Sequence, residues 1–362
     1  MNSPKITVVI PMYNCEQYAE GVLSMFAEQS FRDFEVVCVI DGATDNTKEL
    51  VEAFCKSDER FRFLIQENAG AGAARNMGLD HAIGEFIIWA DADDAYSKDY
   101  LKSLYEVGEK HRAEIVMCLF STIDFLTGTR FRSGFNLSAF EDGKVYAHNE
   151  INNLLSSVAS RVTNKLYRRD FIINKGIRFS ESVISNDIFF NVATLFSASR
   201  IATVRQDLLE YRLNINRESL TSKRGANLIV VLDELKKIYR WMNEQGKTKD
   251  HLADYMTVFN NSVSYSCGFE MDESFLQGVA RILNTEDPWC KMSSEEISSY
   301  AGEIVFASNA KEKLKKAEKE KSQFASEKER KARNQINAAS YIRKISFEQY
   351  GRDFNDPNSM PW

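Results

Sequence analysis

Residues 87 to 101, IIWADADDAYSKDYL, carry an apolar run straight into Asp91, Asp93 and Asp94. Three carboxylates this close repel one another, and capping a helix needs only one acid. Two acids at i and i+2 where a strand ends can hold a divalent cation from one side and leave its other side open. Mg²⁺ and Mn²⁺ favour oxygen donors, and Mg²⁺ takes one or two carboxylates and completes its shell with substrate phosphates. The pattern therefore points to a nucleoside diphosphate ligand, although a D-x-D triplet is common. Asp41 closes a second apolar run, FEVVCVID, and joins the cluster if both runs end on one rim. The competing reading makes Asp41 a turn former in DGAT and lets Asp91 to Asp94 cap the next helix. That reading is kept for Asp45 and Asp94 and set aside for Asp41, Asp91 and Asp93.

The elements that must position these acids follow from periodicity. KITVVIP, FEVVCVID, FRFLIQ and EFIIWAD are short continuous apolar runs, and helical segments separate them. The intervening helices are EQYAEGVLSMFAEQ, the stretch after DGATDNT where Asp45 or Thr44 can cap the first turn, and GAARNMGLDHAI. A helix from about 98 to 110 then leads into a strand, AEIVMCLFSTID. Such alternation predicts a mostly parallel sheet with helices on both faces. Ligands of open α/β sheets bind at the carboxyl ends of the strands, where Asp41 and Asp91 both fall.

Composition narrows the function classes. A chain of 362 residues has room for roughly two domains and a real core. A net charge of −6 gives no electrostatic footprint for nucleic acid. The six cysteines lack CxxC spacing and read as reduced core thiols, the usage of a cytoplasmic protein. MNSPK has no basic n-region followed by a long apolar stretch, so no secretory leader is expected. No window approaches the ~18 uncharged apolar residues of a membrane span. The glycines of NAGAGAARNMG invite a dinucleotide reading, but Arg75 stands where that fingerprint continues, and the stretch follows the third strand. A sugar nucleotidyltransferase needs a glycine-rich loop after the first strand, and PMYNCEQY has none.

Five stretches, VVIPMYNCEQY (8 to 18), VIDGATDNT (39 to 47), NAGAGAARNMGL (68 to 79), WADADDAYSKDYL (89 to 101) and NKLYRRDF (164 to 171), together resemble the family 2 glycosyltransferases in order and spacing. The resemblance covers roughly residues 5 to 221. It implies the GT-A fold, a Rossmann-like mixed and mostly parallel sheet, and an inverting enzyme using a nucleotide-sugar donor, UDP-linked here. Pro11 and Tyr13 would then lie beside the nucleoside, Asp41 would receive the base or ribose, and Arg75 would reach the base or pyrophosphate. Asp91 would contact the ribose, and Asp93 would be the direct ligand of a Mn²⁺ or Mg²⁺ cofactor. The base that takes the acceptor's proton would be Asp187, in Asn186-Asp187 after GIRFSESVIS, with Glu181 as the reserve candidate. A helix-dipole acid is the competing reading of Asp187.

This sequence departs from the family pattern at three positions. Ile40 stands where an Asp usually precedes Asp41, Asn186 where a Glu precedes Asp187, and Lys98 where a Pro is frequent. LLEYRLNINRESLT (208 to 221) resembles a segment that closes over the pyrophosphate, through Arg212, Arg217 and Ser219. A surface loop with ordinary basic residues fits it equally.

A helical C-terminal region follows the expected catalytic domain of 1 to 221. NLIVVLDELKKIYRWM (227 to 242) spaces Leu228, Val231, Leu232, Leu235, Ile238 and Met242 as one helix face within a region of 222 to 310. KEKLKKAEKEKSQFASEKERKAR (311 to 333) begins a charged helix of 311 to 350, with a loose tail from 351 to 362. Its bland reading is a solvated helix; its sharper one is peripheral contact with anionic lipid at the inner face of the membrane, near lipid-linked acceptors. The acceptor implied is a saccharide or lipid-linked saccharide in the making of a cell-surface polysaccharide. The alternative is a non-catalytic nucleotide-sugar-binding or scaffolding protein, against which Asp41, Asp93 and Asp187 together weigh.

Overall fold

The computed structural model describes residues 3 to 213, 228 to 247 and a few positions between 250 and 262. These fall into two compact units, with residues 3 to 213 in the first and those from 228 onward in the second.

In the first unit the chain alternates strand and helix: β1 (Ile6–Met12), α1 (Glu16–Ala27), β2 (Phe34–Asp41), α2 (Thr47–Ser57), β3 (Phe61–Gln66), α3 (Gly70–His81) and β4 (Phe86–Trp89). There follow β5 (Ala95–Tyr96), α4 (Tyr100–His111), β6 (Ile115–Asp124), β7 (Arg130–Ser133), α5 (Leu154–Ser157), β8 (Lys165–Arg168), α6 (Arg169–Lys175), α7 (Ile188–Ser197) and β9 (Ile201–Leu213). The nine strands form one sheet in the order β3-β2-β1-β4-β8-β6-β9-β5, with β7 paired to β6 outside that path. β3, β2, β1 and β4 run parallel, and β8 turns antiparallel between β4 and β6.

The four expected parallel strands and their helices are all present. The continuous apolar character of FEVVCVID is explained by burial, since all of β2 is buried. Parallel register carries every one of these strands to the same edge: Met12 lies opposite Ile40, Asp41 opposite Gln66, and Val9 opposite Trp89. Two glycines let α3 press close. A methyl group at Gly78 would come within 2.2 Å of the Val9 side chain, and one at Gly72 within 1.9 Å of the Ser180 carbonyl oxygen.

LLEYRL, read from sequence as part of a loop, is instead the end of the 13-residue strand β9, paired along the length of β6. It was hidden because polar residues interrupt its apolar pattern at Arg205, Gln206 and Asp207. Arg217, Ser219 and the 311 to 333 helix lie outside the described residues, as do Cys267 and Cys290. Cys15, Cys38 and Cys118 are buried free thiols, as expected, whereas Cys55 of α2 is free but half-buried rather than a core thiol.

In the second unit α8 (Leu228–Glu244) buries Val231, Leu235, Ile238 and Met242, the expected face. The Tyr255 hydroxyl donates to the Leu235 carbonyl at 3.2 Å. Among the described residues no helix is long and apolar enough to cross a membrane.

Candidate active site

The carboxyl edge of the sheet carries Pro11, Tyr13, Asp41 and Asp91, and an arginine network sorts their charges. Tyr13, just past β1, is 52% exposed, a large aromatic face on the rim. Asp41 is buried and turned inward. Its Oδ1 accepts from Gln66 Nε2 at 2.7 Å and from the Ala69 amide at 2.8 Å, and its Oδ2 accepts from the Gly70 amide at 2.9 Å. Its carboxylate thus ties down the first amides of α3, where unpaired donors and the helix dipole favour an anion.

From that anchored helix, Arg75 reaches two loops at once. Its Nη2 donates to Asp91 Oδ1 at 2.9 Å and its Nη1 to Asn186 Oδ1 at 2.8 Å, so it links the acidic loop to the residue before Asp187. Asn186 fills the position of the family's usual Glu, and an amide oxygen accepts this bond without adding charge. Arg75 Nε is buried without a partner, and the guanidinium carbon lies 5.4 Å from the centre of the Phe179 ring.

Arg161, which the sequence reading passed over, holds the acidic loop from the other side. Its Nη2 donates to Asp94 Oδ2 at 2.9 Å and to Asp91 Oδ2 at 3.3 Å, and its guanidinium lies 3.5 Å from the centre of the Tyr211 ring. Asp94 Oδ1 accepts from the Arg212 amide of β9 at 3.3 Å. Burial raises the Asp94 carboxyl and the Arg161 guanidinium opposes that, and both carboxyl oxygens accept hydrogen bonds. The helix-cap role expected for Asp94 is therefore corrected. β5 intervenes, α4 begins only at Tyr100, and Asp94 is a fully buried ion-pair partner. The only sequence cue to Arg161 was its place three residues ahead of NKLYRR.

Asp93 is different. Asp91 and Asp94 each pair with arginine, whereas among the described residues Asp93 is bonded to none. Burial, and then the charge of Asp91, push its carboxyl up to about 6. A desolvated acid with no fixed counter-ion is a group that a divalent cation would relieve. Cys15, at the N-cap of α1, and Tyr18 of α1 face it; burial and then the Thr47 hydroxyl dominate at Cys15, while burial and then Asp93 raise Tyr18 to about 12. Among the described residues no three His, Cys, Asp or Glu side chains converge as a closed cage. The donor set thus fits an open cation site completed by phosphate oxygens, with Asp93 as the protein's ligand.

Arg212 is paired only loosely, its buried Nε making no hydrogen bond. Its Nε sits 3.6 Å from Glu210 Oε1, and its charge acts on both Asp93 and Tyr18. Asp45 keeps the capping role expected of it: Oδ1 accepts from the Thr47 amide and Oδ2 from the Glu16 amide, both at 3.0 Å.

Asp187 occupies the N-cap of α7, where the helix dipole favours an acid, but its side chain makes no cap hydrogen bond. An aromatic cluster fixes this helix: Phe190 stacks on Phe179 at 4.0 Å, and both meet Trp89 of β4 edge-on. Just before it, Ser185 adopts a left-handed φ of +57°, strain of the kind that gathers at functional turns. Glu181, the reserve candidate, is exposed.

A twisted α/β sheet whose carboxyl rim gathers acids, arginines and an uncapped aspartate has the GT-A architecture of enzymes acting on nucleotide sugars. Residues 7–173 match the family described as Glycosyl transferase family 2, and this part of the chain is a member of it. Glycosyltransferase GlyA from Streptococcus pneumoniae is 28% identical over 216 residues, covering 58% of this chain and 30% of GlyA. The uncharacterized glycosyltransferase EpsJ from Bacillus subtilis is 29% identical over 219 residues, 59% of this chain and 62% of EpsJ. The chain thus spans under two thirds of the length of these relatives. The S. aureus TarS 1–349 structure in complex with UDP superposes with a TM-score of 0.50 at 20% identity, covering 73% of this chain and 80% of that fragment. That likeness is one of fold.

Proposed function

We propose that the protein is a metal-dependent inverting glycosyltransferase that moves a sugar from a UDP-linked donor to a hydroxyl of a saccharide or lipid-linked saccharide in cell-surface polysaccharide synthesis, working in the cytoplasm. One observation carries the reading. Asp93, unpaired by arginine, and Asp187, uncapped, stand on two loops that Arg75 bolts together. TarS, which shares the fold, has also been solved with UDP-GlcNAc, so UDP sugars are the first donors to try.

In this mechanism Tyr13 and Pro11 flank the nucleoside and Asp41 keeps the start of α3 in place beneath it. Arg75 and Arg161 hold Asp91 for the ribose. Asp93 would hold Mn²⁺ or Mg²⁺, which when bound stabilises the charge on the departing diphosphate. Asp187 accepts the acceptor's proton as its hydroxyl oxygen forms the bond to the anomeric carbon. The bond from that carbon to the phosphate oxygen breaks on the opposite face, and its electron pair leaves with the diphosphate. The anomeric configuration inverts. A positioned carboxylate base contributes roughly 10²–10⁴-fold to such a step.

Diphosphate release across a panel of nucleotide sugars with Mn²⁺ tests the reading, with Asp93→Ala as the comparison. Metal-dependent release from one donor, lost in Asp93→Ala, is the expected result. No release from any donor, with donor binding unaffected by Asp93→Ala, would return the protein to the non-catalytic binding class.

A further inference from the structure

Asn76 lies in the middle of α3, where its short amide is a poor helix former, and no step above uses it. Its Nδ2 donates to the Phe179 carbonyl at 3.0 Å and its Oδ1 accepts from the Phe179 amide at 2.9 Å. One side-chain amide thus meets both backbone groups of a single residue, as the partner in an antiparallel strand pair does. The contact is one rung of three. Gly72, Asn76 and Asp80 recur at every fourth position on one face of α3, and residues 180, 179 and 178 pass them in reverse order. The Ser180 carbonyl oxygen lies against Gly72, Asn76 holds Phe179, and Arg178 Nη2 sits 2.5 Å from Asp80 Oδ1. The Arg178 pair is exposed and Gly72 offers no bond, which leaves the Asn76 amide as the firm rung. What it holds leads to Asp187 by two routes. The Ser180 amide donates to the Asn186 carbonyl at 3.1 Å and closes the 180 to 186 loop at its neck, beside Asp187. The Phe179 ring stacks on Phe190, in the first turn of the helix that Asp187 precedes.

We propose that Asn76 is a positioning residue for the transfer step: its amide docks the Phe179 backbone on α3 and so sets the place of Asp187 relative to the donor rim from which α3 starts. The proposal rests on Asp187 being the base. Arg75 and Asn76 then divide one task. Arg75 bonds the Asn186 side chain at one end of the loop and Asn76 bonds the backbone at the other, so the loop has two anchors on consecutive helix residues. A single anchor would leave it free to pivot.

Hydrogen–deuterium exchange on the full chain reads the docking without any assay of transfer. Asn76→Ala should speed exchange of peptides spanning 178 to 187 by about tenfold or more, the effect of two lost hydrogen bonds, while β2 keeps its rate. Asn76→Asp has the same shape, keeps an acceptor for the Phe179 amide and sets a carboxylate against its carbonyl. It should act in the same direction, and it serves should the alanine variant fold poorly. In both variants kcat for UDP release from UDP-GlcNAc with Mn²⁺ should fall by roughly tenfold or more. Affinity for UDP and Mn²⁺, by calorimetry, should stay within about twofold, a split that general loosening of the fold would not give. Unchanged exchange over 178 to 187 in both variants overturns the inference. Faster exchange with kcat unmoved, where Asp187→Asn abolishes release, overturns it too, as does a loss of kcat matched by a loss of UDP affinity. Full release by Asp187→Asn would defeat the base assignment and with it the role of Asn76 in transfer, a failure told apart from the others because exchange would still speed up.

Discussion

Arg161 and Asp94 form an ion pair at 2.9 Å in which the Asp94 side chain has 0% exposure, the most enclosed acid of the cluster. Removing one partner of a buried pair strands the other's charge, which costs about 3–5 kcal/mol. Arg161→Met, which strands Asp94, should lower stability in urea unfolding by an amount in that range, and Asp94→Asn by less, because Arg161 keeps Asp91 at 3.3 Å. The double variant should lose much less than the sum, since neither charge is then left alone. Additive losses would show that the pair is not a unit.

Asp187 leads to the opposite expectation. Its carboxylate bonds none of the α7 amides, so Asp187→Asn removes no cap bond, and the unfolding free energy should change by no more than about 0.5 kcal/mol. The transfer rate should fall by roughly 10²–10⁴. Donor affinity, measured by calorimetry with UDP and Mn²⁺, should hold. A large stability loss with a proportionate loss of rate would favour the helix-dipole reading instead.

Gly72 tests whether the closeness of α3 to the 180 to 186 segment matters. A methyl group there meets the Ser180 carbonyl oxygen at 1.9 Å, and backbone must shift to admit it. Gly72→Ala should cost about 1–3 kcal/mol through overpacking. It should also slow transfer by more than tenfold, because the displaced segment carries Asn186 and Asp187. Gly70→Ala offers a contrast in kind: it has open space but a φ of +89°, so it strains the cap without pushing the segment.

The sheet rim was legible in the sequence because parallel strands buried on both faces spell themselves as unbroken apolar runs, and their ends fall where Asp41 and Asp91 stand. What separates Asp93 from its neighbours was not legible. That distinction depends on Arg75 and Arg161, which arrive from α3 and from the turn before β8, and no spacing along the chain records that both converge on Asp91. Asp94 was misread for the same reason: its partner lies 67 positions away. β9 escaped because a strand broken by Arg205 and Asp207 carries no period. Asp45 was legible because a cap is local.

Asp45 supplies the pH test. Its carboxylate joins the first amides of α1 and α2, and although burial works against ionisation, the bonds from Thr47 and Glu16 outweigh it and hold the group below its ordinary value. A depressed carboxylate stabilises the fold fully above the unfolded-state value, about 4, and loses that contribution as pH falls through the folded value. Thermal melts between pH 6 and pH 3 should therefore show wild type ahead of Asp45→Asn at the upper end, with the gap closing as the solution acidifies. Because the N-terminal amides of both helices share this one acid, the loss in Asp45→Asn should be of the order of a single cap, ~1 kcal/mol. A gap that widens toward low pH would mean that the carboxylate is protonated in the fold and that the two helices are held together by something else.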